Sequence, residues 1–142
     1  FVGSRGLGDV YKRQDMNEMS YYENISLLAY SPLAGGLLTG KYLNNEMPTD
    51  SRITRVSTIG DRVNKNAMKA VQEYMKISKK FNIHPVHLAL AFCTKRPFMG
   101  SVIFGATTDE QLDVVIKGLD VDLNDEIMKE ISLVYKNYAL TF

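Results

Sequence analysis

"YSPLAGGLLTGKY", residues 30–42, sets three glycines and a proline among apolar side chains and closes on a lysine and a tyrosine. It grows out of "ISLLAY" (25–30), a short run that is apolar at both parities. That is the pattern of a strand in a parallel sheet covered on both faces. A buried strand that opens straight into a glycine-rich apolar loop needs a physical reason. Two are available from the residues: a tight strand-exit turn, or a backbone brought close to a ligand where a Cβ would stand in the way. On these residues alone the turn is the better reading.

The bounds are ordinary. The chain has 142 residues, 45% hydrophobic and 23% charged, which suits one domain of roughly 100–200 residues or a piece of a larger one. A formal net charge of +1 generates no field that would recruit nucleic acid or a membrane surface, and neither is expected as a partner. The single cysteine, Cys93, lies in "LALAFC" and reads as a small buried hydrophobe in a reducing compartment. No stretch approaches the ~20 apolar residues needed to span a bilayer, and the N-terminus lacks the apolar core of an export signal. A cytoplasmic location is the expectation.

The first 14 residues, "FVGSRGLGDVYKRQ", hold three glycines and three basic residues without periodicity. They resemble a non-native leader introduced in sequence assembly, with a native, solvated loop as the alternative. On the first reading residues 15–142 are the C-terminal fragment of a longer protein. "GLGDVY" from Gly6 approaches the dinucleotide fingerprint, but Tyr11 stands where its last glycine belongs and no strand is expected before it.

Strands and helices alternate from there. The polar segment 43–62 carries Pro48, Asp50 and Gly60 as turn formers. The spacing of Ala67, Val71, Tyr74, Met75 and Ser78 predicts an amphipathic helix over 66–81. A second helix begins at "HPVHLALAF", where Pro85 suits the first turn because its missing N–H had no partner there, and ends before Pro97. "GSVIFG" (100–105) reads as another buried strand and "TTDEQLDVVIKGL" as a helix. "NDEIMKEISLVYKNY" makes a last helix, with Asn124 as N-cap and acidic residues in its first turn. Such alternation predicts a parallel α/β protein.

"LLAYSPLAGGLLTGKY", the "SR" pair about ten residues on, "HLALAF" before a proline, "SVIFGATTDEQL" and "LNDEIMKEI" together resemble the C-terminal part of the aldo-keto reductases. The resemblance runs in unbroken order from about residue 18 to 136 and rests on five separated motifs. It implies a partial (β/α)8 TIM barrel in which "ISLLAY" is the seventh strand and "SVIFG" the eighth. It also implies an NADP (NADPH) cofactor at the C-terminal strand ends, with NAD less favoured.

Loops after the last two strands of such barrels often form a phosphate site, because N–H groups and helix N-termini gather there. By resemblance, Tyr30, Ser31, Pro32, Leu33, Ala34 and Gly35 line the cofactor and Lys41 reaches its phosphates. Arg52 is the second cation, able to grip phosphate with its planar fork. Gly105, Thr107 and Gln111 match positions that contact the adenosine ribose, its 2′-phosphate and the adenine. Thr108-Asp109-Glu110-Gln111 fits a capping box, so a helix N-terminus faces outward there. Relatives often carry a Glu-Asn pair where this chain has Val114 and Val115, which weakens the adenine contact. The plain alternatives are a cap at the threonine and solvated charge at Lys41 and Arg52.

His84 and His87 share a helix face but lack a neighbouring carboxylate or thiol, so no metal is expected. Met68, Met75 and Phe81 read as core. The resemblance places the family's catalytic Asp, Tyr, Lys and His in the barrel's first half; none maps here, and no catalytic residue is assigned. The expected function is that of the cofactor-binding part of an NADP-dependent aldo-keto reductase acting on a small-molecule aldehyde or ketone. The alternatives are a redox-sensing regulatory module, as in the superfamily's potassium-channel β subunits, and a structural remnant.

Overall fold

A computed structural model describes residues 3–5, 18–56 and 63–138. In chain order they form β1 (Gly3–Arg5), a short helix α1 (18–23), β2 (Leu27–Tyr30) and two 3₁₀ segments, Ala34–Thr39 and Leu43–Asn45. Then follow α2 (Arg52–Arg55), α3 (Lys65–Lys80), α4 (Pro85–Thr94), β3 (Met99–Ile103), α5 (Asp109–Lys117) and α6 (Asp125–Asn137). The three strands make one parallel sheet in the order β1-β2-β3. The comparison below bears out the expected parallel α/β class.

The helices start where short polar side chains satisfy orphan N–H groups. Asn64 Oδ1 accepts from the N–H groups of Asn66 (3.0 Å) and Ala67 (2.9 Å), and Asn124 Oδ1 accepts from Ile127 (2.9 Å). α4 follows Pro85 and buries Val86 and every residue from Leu88 to Cys93. A helix apolar all round belongs inside: α4 packs against α3, α5, β3 and the loop after β2. The main core joins Leu37, Leu38 and Tyr42 of that loop to Val71 and Tyr74 of α3, Phe92 and Cys93 of α4, and Ile127 and Ile131 of α6. Met68, Met75 and Phe81 pack at its margin as expected.

Several expectations are corrected. β3 is not a buried strand: Ser101 and Ile103 are exposed and Val102 half-buried, because β3 is the sheet's edge among the described residues. β2 is shorter than 25–30, since Asn24 takes a left-handed turn (φ 51°) and the Ile25 N–H donates back to Ser20 O. Segment 43–62 is not all turn; it holds Leu43–Asn45 and α2, while 57–62 lie outside the described residues. A strand, β1, does precede "GLGDVY" and pairs with β2 through Gly3↔Leu28, although "GLGDVY" itself lies outside the described residues. So does the expected boundary between residues 14 and 15.

α5 is fastened to α4 at close quarters. His87 Nε2 donates to Val114 O (2.8 Å), and a Cβ on Gly118 would stand 2.7 Å from His87 Cδ2 and 3.2 Å from its Cα. Gly118→Ala therefore forces the two helices apart. The expected cost is about 1–3 kcal/mol, read as a fall in the denaturant midpoint with the slope unchanged. An unshifted midpoint would show that the helix pair absorbs the methyl freely.

Candidate functional site

The parallel register pairs Ala29 with Val102 and Tyr30 with Ile103. The chain therefore leaves both strands at neighbouring points of one sheet end, into the loop from Ser31 and the loop from Phe104. Parallel neighbours bring together two segments some 75 residues apart, which is how open α/β sheets build ligand crevices.

The first loop is a folded plug. Ser31 (φ 55°), Ala34 (φ 50°), Gly35 (φ 72°), Gly36 (φ 96°) and Gly40 (φ 81°) all take left-handed backbone. Turn bonds hold it: Ala34 N–H to Ser31 O (2.9 Å), Gly36 N–H to Leu33 O (2.9 Å) and Leu43 N–H to Gly40 O (3.0 Å). The apolar residues are its anchors. Pro32, Leu37 and Leu38 are buried, and Leu33 touches both the main core and the smaller cluster of Val86, Leu90 and Val115. The glycines thus let the chain coil while the leucines pin it, which answers why an apolar run should be so rich in glycine.

Of the expected site residues, Tyr30 stands at the β2 end and is 38% exposed. Ser31, Leu33 and Gly35 are half-buried around the turn, while Ala34 is buried. Lys41 is exposed and lies against the loop: a Cβ on Gly36 would meet its Cε at 3.1 Å and its Nζ at 3.3 Å. Its ammonium stands 5.1 Å from the centre of the Tyr42 ring. Arg52 opens α2, exposed, and has no ion pair among the described residues, whereas Arg55 binds Asp50 through Nε (2.9 Å) and Nη2 (2.6 Å). α2 packs on the first loop, so the loop's own helix presents the guanidinium.

The second loop brings Gly105, Thr107 and Gln111, all exposed; around Gly105 a Cβ would meet open space. The capping box forms only in part. Thr108 Oγ1 accepts from the Gln111 N–H (3.3 Å), but Gln111 Oε1 accepts from Thr107, through its N–H (3.0 Å) and its hydroxyl (3.2 Å), not from the Thr108 N–H. The side chain reaches one residue further than the box requires. Hydrogen bonding, first from Thr108 and then from its own backbone N–H, holds the Glu110 carboxyl below its usual range. With Asp109, it already sets negative charge on the α5 N-terminus.

Val114 and Val115 serve packing: Val115 is buried and Val114 half-buried in the smaller cluster. The histidines are structural. His84 Nδ1 accepts from the Val86 N–H (3.2 Å) as the cap of α4, and burial, then the charge of His87, lowers its pKa. Sequence reasoning missed Tyr42, whose hydroxyl is buried without a hydrogen-bond partner among the described residues and lies 3.4 Å from the position of a Gly36 Cβ. Its place after Lys41 was visible, but an aromatic there reads simply as core, which its ring is.

A left-handed glycine face overlooked by an ammonium and by a hydroxyl without a partner among the described residues, with the exposed guanidinium of Arg52 on the adjoining helix, suits a phosphate-bearing ligand. The fold that carries them is that of a parallel α/β protein. The Aldo/keto reductase family profile matches residues 9–136, and the chain belongs to that family. It is 40% identical over 122 residues to Protein tas of Escherichia coli, covering 86% of this chain and 35% of that protein. It is 32% identical over 118 residues to a probable voltage-gated potassium channel subunit beta of Oryza sativa, covering 80% of this chain and 36% of the relative. The chain thus spans about a third of the length of these curated relatives. A glycerol dehydrogenase from Gluconobacter oxydans shares the fold, with TM-score 0.74 and 20% identity over 96% of this chain and 42% of that one. No helix among the described residues is long and apolar enough to cross a membrane.

Proposed function

We propose that the chain forms the dinucleotide-binding part of an NADP-dependent aldo-keto reductase that reduces an aldehyde or ketone, with β2 and β3 the last two strands of a (β/α)8 barrel. One observation carries the reading: the β2–β3 register opens the glycine loop, with Lys41 and with Arg52 on the helix packed on it, beside the loop of Thr107 that leads into the helix of Gln111. When bound, the cofactor supplies a hydride. The residues of this chain bind and orient it. Backbone coiled at Gly35 and Gly36 admits the diphosphate closely, Lys41 neutralises it, and Pro32, Leu33 and Ala34 give the loop a rigid apolar base. Thr107 and Arg52 favour a 2′-phosphate, whereas Asp109 and Glu110 oppose a dianion there.

The channel-subunit relative supports a second reading, a redox-sensing module that keeps the cofactor site without turning over substrate quickly. Fluorescence-quenching titration of the full-length protein separates them when paired with an aldehyde assay. NADPH should bind more tightly than NADH, by a margin narrowed by the two carboxylates. Binding with turnover supports the reductase, and binding with negligible turnover supports the module. Failure to bind either cofactor would sink both.

A further inference from the structure

Tyr42 is 1% exposed, and its hydroxyl is buried without a hydrogen-bond partner among the described residues. A buried hydroxyl left unpaired is costly, and apolar substitutes of the same shape are readily available, so a phenol kept in that condition calls for a cause. Its surroundings supply one. The hydroxyl lies 3.4 Å from where a Cβ on Gly36 would stand, and the Lys41 ammonium lies 3.3 Å from the same point. Gly36 is left-handed (φ 96°), so the backbone turns that face toward the two side chains. An O–H donor and a cation thus converge on a cradle that any side chain on residue 36 would fill. Lys41, whose Cε lies 3.1 Å from that point, is exposed, and its long stem is flexible.

We propose that the Tyr42 hydroxyl is a further cofactor-binding group, donating a hydrogen bond beside the Lys41 ammonium to an oxygen of the dinucleotide's diphosphate. This rests on the reading of the chain as dinucleotide-binding. The diphosphate is chosen over the 2′-phosphate because Tyr42, Lys41 and Gly36 all belong to the loop after β2, whereas Thr107 belongs to the loop after β3. A phosphate oxygen bound beside the ammonium gives the hydroxyl the acceptor it lacks among the described residues. The ring remains in the core throughout.

The test is Tyr42→Phe in the full-length protein, titrated with NADPH and NADH by fluorescence quenching and melted without cofactor. A hydrogen bond to a charged acceptor predicts about tenfold or greater weakening, equal for the two cofactors because the diphosphate is common to both. The cofactor-free melting temperature should hold or rise, since the variant removes an unpaired buried hydroxyl. Loss of affinity at undiminished stability marks a ligand-binding group; a structural hydroxyl would not give it. Unchanged affinities overturn the proposal while leaving the dinucleotide reading intact. Weakening of NADPH alone overturns the diphosphate assignment. A variant that melts lower without cofactor, or does not fold, overturns it too, because the hydroxyl then has a structural partner. A wild-type protein that binds neither cofactor overturns the reading on which it rests.

Discussion

Arg52→Ala in the full-length protein is expected to weaken NADPH by about 10–150-fold and to leave NADH nearly unchanged, on charge-assisted hydrogen bonds of roughly 1.5–3 kcal/mol. The structure makes this arginine available. Asp50, two residues before it, is engaged by Arg55 at 2.6 Å, so the nearest carboxylate in sequence serves the other guanidinium. Arg52 itself opens α2, which is seated through buried Ile53 on the glycine loop, so its backbone is fixed while its side chain remains exposed. Fluorescence-quenching titration of wild type and variant with both cofactors is the measurement. Equal weakening of both would move the arginine to the shared diphosphate. No change in either would leave it as solvated surface charge and remove it from the site.

Ile131→Ala is expected to destabilise the fold by about 2–5 kcal/mol, the usual cost of a large cavity in a packed core. Ile131 is 0% exposed on α6, where it meets α3 within the main cluster. The natural control is Leu133→Ala, two residues on, where the side chain is 58% exposed and little should be lost. Chemical denaturation followed by circular dichroism gives both midpoints. Similar midpoints for the two variants would mean that the α3–α6 interface does not hold the fold together. The ion pairs across that interface cannot substitute for the packing. Lys80 bridges Glu126 (3.0 Å) and Glu130 on α6, yet Lys80 and Glu126 are exposed and Glu130 only half-buried, so water and salt screen the attraction.

What could be read from sequence was what depends on near neighbours. The caps at Thr108 and Asn124 were legible because a short side chain reaches an N–H three residues on whatever surrounds it. α4 was legible from Pro85 and its unbroken apolar run. The burial of β3 was misread, since apolar residues such as Ile103 report what could be covered and not what lies opposite. α2 was missed because four residues carry too little periodicity to show a helix. The Gln111 bond to Thr107 was missed because the rotamer decides between adjacent N–H groups. Tyr42 escaped for a different reason: its hydroxyl meets Gly36 only because the chain reverses at Gly40, and that meeting is a property of the folded turn.

The two halves of the site are also anchored with unequal firmness. The glycine loop buries Pro32, Ala34, Leu37 and Leu38 in the heart of the molecule, whereas α5 buries Val115 alone and leaves its whole first turn in water. Local opening free energies follow buried contacts, so amide protons of α5 exchange through small openings, while those of the loop wait for much larger ones. A dinucleotide spanning both would accordingly be let go from its adenosine end, with the diphosphate the last part to leave.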